Sequence, residues 1–162
     1  GALSAESLIY RDEKAIPGTG NAGNLTINAD ESVELSREGF IFTGTESLGD
    51  AGNLTIRTNR LVLQDSSRIG VRSQGVGNAG NIVVQARSIT LNNQSIIDAA
   101  TTTSQGGNIT LQVQDVLLLR RDSLISTTAG TAQAGGDGGN ITIGGALIVA
   151  VPQEDSNITA NA

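Results

Sequence analysis

The chain has 162 residues, with 10 Lys plus Arg against 16 Asp plus Glu and a formal charge of −6, a balance that argues against a basic nucleic-acid-binding surface. It contains no Cys, Met, Trp or His, which removes disulfides, thiolate and imidazole chemistry and the metal sites built on those ligands, so an enzyme of this composition has to work through carboxylates. No apolar run approaches the roughly 18 residues of a spanning helix, so no membrane span is expected; the lack of Cys fits the cytosol and a secreted chain equally and leaves the compartment open.

From the N-terminus onward one phrase recurs: Ala22-Gly23-Asn24-Leu25-Thr26-Ile27, Ala51-Gly52-Asn53-Leu54-Thr55-Ile56, Ala79-Gly80-Asn81-Ile82-Val83-Val84, Gly106-Gly107-Asn108-Ile109-Thr110-Leu111 and Gly138-Gly139-Asn140-Ile141-Thr142-Ile143. A second column places Ser or Gly two residues before Ile, at Ser7/Ile9, Gly39/Ile41, Ser67/Ile69, Ser95/Ile97, Ser123/Ile125 and Ser156/Ile158. Both columns keep a step of about 28 residues, the mark of a solenoid.

Within a unit the apolar residues alternate with a period of two, as in Leu25/Ile27, Val33/Leu35 and Ile41, then Leu54/Ile56, Leu61/Leu63 and Ile69/Val71, then Ile82/Val84, Ile89/Leu91 and Ile97/Ala99. This predicts three short strands per coil and no helix. The connections are too short for crossover helices, so each strand must stack on its counterpart one turn away. The expected fold is all-β, a parallel β-helix with coils about 4.8 Å apart. Residues 1–162 read as one such segment of about five coils, part of a longer repeat protein. In the fourth unit, Val116-Leu117-Leu118-Leu119 allows two phases; counting from Ile125 points Leu117 and Leu119 inward. Lengthened spacings at Asp12–Gly20 and Ala129–Gly136 predict corner loops.

The repeated Gly is expected at a corner, either with positive φ or packed tightly on the next coil. The following residues Asn24, Asn53, Asn81, Asn108 and Asn140 are expected to point inward and to stack as an amide ladder. Four of these five begin Asn-x-Thr triplets, and an inward ladder amide would be closed to a glycan. Gly18–Gly23 and Gly75–Gly80 match a dinucleotide-binding glycine pattern, but each leads into a strand instead of opening a helix. Ala134–Asn140 lacks the repeated Asp of a calcium-binding glycine repeat. No cofactor and no metal site is expected. A partial Thr column, Thr26, Thr55, Thr110 and Thr142, is broken by Val83 and by Arg57, Gln85 and Gln112 in the next rank, which argues against an ice-binding face.

Acidic residues cluster at Asp12/Glu13, Asp30/Glu31/Glu34 and Glu154/Asp155, in turns or near the ends, and Asp98 has Gly70 and Ser126 as column neighbours. No catalytic pair emerges. The more suggestive feature is the outward face around the Ile column, where Leu8, Phe40, Arg68, Ile96, Leu124 and Asn157 lie on one side and Tyr10, Phe42, Gly70, Asp98, Ser126 and Thr159 on the other. All three aromatic residues fall here. Tyr10, Phe40, Phe42, Arg68, Ile96 and Leu124 form a candidate binding strip for cell-surface glycans or proteins.

The phrases Gly20-Asn-Ala-Gly-Asn-Leu-Thr-Ile27 and Gly138-Gly-Asn-Ile-Thr-Ile143, the Ser-x-Ile column and Leu147-Ile-Val-Ala-Val-Pro152 resemble large exoproteins of the filamentous-haemagglutinin type, in the style of cyanobacterial members. The resemblance covers nearly all of Gly20–Ala162. It implies a right-handed β-helical shaft, two-partner secretion through an outer-membrane transporter, and an adhesive role at the cell surface; the family's amino-terminal secretion domain is not among these residues. The expected function is a non-enzymatic segment of a secreted or surface adhesin. The alternatives are a β-helical polysaccharide lyase or glycoside hydrolase and a purely structural spacer.

Overall fold

The computed structural model describes residues 2–11, 14–17, 20–46, 48–130, 136–145 and 147–161, with side chains from residue 20 onward. The chain is a parallel β-solenoid of about four turns at a step of about 28 residues. Each central coil contains a long strand and a short one. The long strands are β3 (Leu25–Leu35), β5 (Leu54–Gln64), β7 (Ile82–Asn92) and β9 (Ile109–Leu119); the short ones are β4 (Phe40–Thr45), β6 (Arg68–Ser73), β8 (Ile96–Thr101) and β10 (Leu124–Thr128). In the last coil the long strand is divided into β11 (Ile141–Gly144) and β12 (Leu147–Ala150), and the short one is β13 (Asn157–Asn161). The long strands stack in the order β11-β9-β7-β5-β3, with β12 also on β9, and the short ones in the order β13-β10-β8-β6-β4.

The three apolar pairs per coil are therefore present, but the first two share one bent strand where separate strands were expected. Side-chain parity reverses at the bend: Leu54 and Ile56 point inward before it, Leu61 and Leu63 after it, and all four are fully buried. Along the stack, Ala29 pairs with Thr58 and Ser32 with Arg60, while Ala86 pairs with Val113 and Ser88 with Val116. Strands β3 and β9 thus each accommodate one more residue at the elbow than the neighbouring strand. This settles the phase of the fourth unit. Leu117 and Leu119 stack on Ile89 and Leu91 and are buried, as the count from Ile125 predicts.

Like stacks on like through the core. Leu54, Ile82 and Ile109 share one column, and Ile41, Ile69, Ile97, Ile125 and Ile158 another. Each fully buried aliphatic side chain contributes about 1.5–3 kcal/mol relative to exposure. The first row departs from expectation. β1 (Ala2–Arg11) places Leu3, not Ile9, beside Ile41. Ile9 instead pairs antiparallel with Ile16 of β2 (Lys14–Pro17), so part of the expected Asp12–Gly20 loop is a returning strand. Within the other expected loop, residues 131–135 lie outside the described residues.

Two kinds of corner close each coil. At the Gly corner, a Cβ on Gly52, Gly80, Gly107 or Gly139 would collide with the carbonyl oxygen of the equivalent Gly one coil earlier. Close approach, not left-handed φ, explains this column, because among the described residues the positive-φ glycines are Gly130, Gly136 and Gly145. The other corner is a pair of consecutive left-handed residues in four coils, Arg37/Glu38, Asp65/Ser66, Asn93/Gln94 and Arg121/Asp122, with φ between 50° and 62°; the last coil has a 3-10 turn ending in the left-handed Asp155 instead. In three of these coils the following Ser locks it, and in the first Gly39 takes that place. Ser67, Ser95 and Ser123 are buried, and their hydroxyls donate to the carbonyls of Gln64, Asn92 and Arg120 at 2.6, 2.8 and 2.6 Å. That is the physical role of the Ser-x-Ile column.

Candidate functional site

The Asn ladder forms, but on the outside. Asn24 Oδ1 accepts from the Asn53 amide N–H at 2.8 Å, and the same bond runs from Asn81 to Asn53, Asn108 to Asn81 and Asn140 to Asn108 at 2.9 Å each. Each donor's Nδ2 also reaches the same oxygen at 3.0–3.3 Å. All five side chains are exposed, correcting the expected inward orientation. Alternation gives the reason: Leu54, Ile82 and Ile109 point inward, so the preceding Asn must point out. Exposure removes the argument that these amides are closed to a glycan by burial; what engages them is the ladder.

The candidate strip lies on the outer face of the short-strand sheet. Register places Phe40, Arg68, Ile96, Leu124 and Asn157 in one column and Phe42, Gly70, Asp98, Ser126 and Thr159 in the next. Five of the six candidate strip residues are therefore adjacent. The sixth is displaced: Ser4 occupies the position beside Phe42, while Tyr10 lies further along β1 opposite Ala15, and its side chain is outside the described residues. Phe40 is 42% exposed. Phe42 is half-buried, its ring lying over Gly44 and reaching Gly70, where added β-carbons would meet it. Phe40, Phe42, Glu38, Ser66, Arg68 and Arg72 border a shallow groove of about 340 Å³.

Asp98, only 4% exposed, is the electrostatic centre of this face. Arg68 donates through Nε to Asp98 Oδ1 at 2.6 Å and through a terminal nitrogen to Oδ2 at 2.5 Å, a bidentate pair. Arg72 approaches Oδ2 at 3.4 Å from the other side. The hydrogen bond to Asp98 raises the Arg68 pKa above its ordinary value, with the carboxylate charge adding to it and burial opposing it. Arg72 belongs to a third column, Gly44, Arg72, Ala100 and Thr128, so the cluster is diagonal. Inspecting Asp98 against its own column neighbours misses it; the signal available in sequence was Arg68 and Arg72 straddling the Gly that stacks on Asp98.

Among the described residues the remaining acids do not join this cluster. Glu34 pairs with Arg60, and Glu154 pairs with Arg120 through two hydrogen bonds at 2.5 and 2.8 Å. Asp30 lies on the bent long-strand sheet. Among the described residues no group of three or more Asp or Glu side chains is placed to hold a metal ion, and no helix is long and apolar enough to cross a membrane. No known family model, curated protein or solved structure matches this chain.

Proposed function

We propose that the chain is a non-enzymatic β-helical segment of a secreted or cell-surface adhesin of the filamentous-haemagglutinin type, a shaft that carries a binding strip on its short-strand face. The observation behind this reading is Phe40, an exposed ring that borders one groove with Arg68 and Arg72, whose side chains are 36% and 33% exposed. An aromatic face next to hydrogen-bond donors suits the C–H face and hydroxyls of a sugar, or the apolar rim of a surface protein. Export through an outer-membrane transporter follows from the same family resemblance. The engagement of both Asp98 oxygens by arginines favours a structural over a general-base role for that carboxylate.

The test is binding of labelled protein to intact cells and to a glycan panel, beside Phe40→Ser/Phe42→Ser with its fold checked by circular dichroism. A loss of tenfold or more in the folded variant is expected, by analogy with truncated aromatic anchors, which each cost on the order of 2 kcal/mol. Unchanged binding by the variant overturns the strip. Cleavage of a uronic-acid polymer that disappears in Asp98→Asn or Asp30→Asn replaces the adhesin with the lyase or hydrolase reading.

A further inference from the structure

A broad concavity lies on the opposite sheet from the aromatic strip. Where each long strand bends, the outer surface folds into an elbow of about 1090 Å³. Its floor is a column running across five stacked strands, Asn28, Arg57, Gln85, Gln112 and Gly144. At about 4.8 Å per coil this trough is roughly 19 Å long, parallel to the solenoid axis. A second rank, Asp30, Asn59, Arg87 and Gln114, forms its wall.

The floor is pre-ordered. Arg57 Nε donates to Gln85 Oε1 at 2.9 Å, and Gln85 Nε2 donates to Gln112 Oε1 at 2.8 Å. These bonds fix the side chains along the axis and leave the terminal guanidinium nitrogens of Arg57 outside the ladder. On the wall, Asn59 Nδ2 donates to the Asp30 carbonyl at 2.7 Å. Among the described residues the acids of this chain pair with Arg60, Arg68, Arg72 and Arg120, and neither Arg57 nor Arg87 forms an ion pair. The trough thus carries two arginines outside any ion pair and one carboxylate, Asp30, a local excess of one positive charge on a chain whose overall charge is −6.

We infer that the elbow binds an extended acidic polysaccharide laid along the solenoid axis. The inference rests on the adhesin reading and gives it a second site and a ligand class. Three features select this occupant. A repeat of one coil is comparable to the rise of one pyranose ring in an extended chain, so successive sugars meet successive residues of the floor column. Amide groups at Asn28, Asn59, Gln85, Gln112 and Gln114 match the mixed donors and acceptors of sugar hydroxyls. Arg57 and Arg87 supply planar forks for carboxylate or sulfate groups. A single-stranded nucleic acid fits less well, because the trough has no aromatic ring for base stacking.

The experiment measures binding of the full chain to polygalacturonate, dextran sulfate, neutral dextran and single-stranded DNA, with intact cells as a separate arm. Arg57→Gln and Arg87→Gln remove the charges while supplying the side chain that the next coils already stack. The double variant is expected to fold and to lose at least tenfold in affinity for the two acidic polysaccharides. Asp30→Asn is expected to gain about two- to fivefold, and raised salt to weaken wild-type binding. Equal binding by wild type and the double variant, no binding to either acidic polymer, or preferential binding of DNA overturns the elbow site. Cell binding that persists without acidic-polymer binding removes the elbow and leaves the adhesin reading in place, whereas loss of both removes the two together.

Discussion

The central and terminal coils are built from the same residue types and differ in what lies above and below them. Leu54, Ile56, Ile69 and Ile97 are fully buried between neighbours. At one end Leu25, Ile27 and Val33 only lean on the core, and at the other Ile148 and Ile158 are 47% and 37% exposed although Ile158 stacks in register on Ile125. Hydrophobic burial in this fold is thus a property of a pair of coils, not of a residue. Stability follows as a sum of nearest-neighbour interfaces, and the described end coils each lack one.

The sharpest way to break that comparison is to place a carboxylate in the same column twice. Ile97→Asp should cost on the order of 4 kcal/mol or more, because an unpaired charge enters a dry core. Ile158→Asp should cost less than about 1 kcal/mol, since its site is already hydrated. Urea denaturation of both variants checks this, and equal midpoints would mean that the ends are as tightly packed as the centre.

A smaller contrast concerns backbone contact. Gly80→Ala drives a methyl group into the Gly52 carbonyl and is expected to cost about 3 kcal/mol. Gly144→Ala meets no atom within 4 Å in the final coil and should stay within about 0.5 kcal/mol of wild type. Thermal melting separates them.

The smallest effect is one of pH and belongs to the last coil alone. Its corner is a short 3-10 turn, Pro152–Glu154, whose Glu154 carboxylate accepts from Arg120 side-chain nitrogens and from the Arg121 N–H. The Arg120 hydrogen bond chiefly holds the Glu154 pKa below its ordinary 4.5. A lowered folded-state pKa means that the stabilisation is fully present above about pH 4.5 and fades as pH falls through the depressed value. Amide exchange at Arg121 and Asp122 should accelerate at low pH relative to Ile97 after correction for intrinsic rates, and Glu154→Gln should abolish the difference.

Much of this architecture was legible in the sequence because a parallel stack multiplies each signal by the number of coils. The Ile column and the Leu117/Leu119 phase required only counting. The Asn ladder was expected, but on the wrong face: Asn24 precedes the inward Leu25 and neighbouring residues of an extended chain point to opposite sides, so the side chains lie outside. The left-handed corners were not: Arg37, Glu38, Gln94 and Arg121 carry no turn signature, and the last two sit in corners closed by the Ser that follows, Ser95 and Ser123. The first row was misassigned because Ser7/Ile9 imitates the repeat while pairing places Leu3 there. On the strip, the Phe and Arg columns were readable, whereas the Asp98 cluster spans three columns and two coils. The elbow was missed for a different reason: Arg57, Gln85 and Gln112 read as an interruption in a Thr rank, and only the bend turns them into a floor.

That bend has a further consequence. Strands β3 and β9 each take in an additional residue at the elbow, yet the isoleucines beyond it return to the common column. Every coil therefore resynchronises its own phase before handing over to the next. An insertion at that point is a local event that shifts no later side chain from inside to outside. A chain assembled this way can lengthen by imperfect duplication, with copying errors absorbed turn by turn instead of accumulating along the shaft.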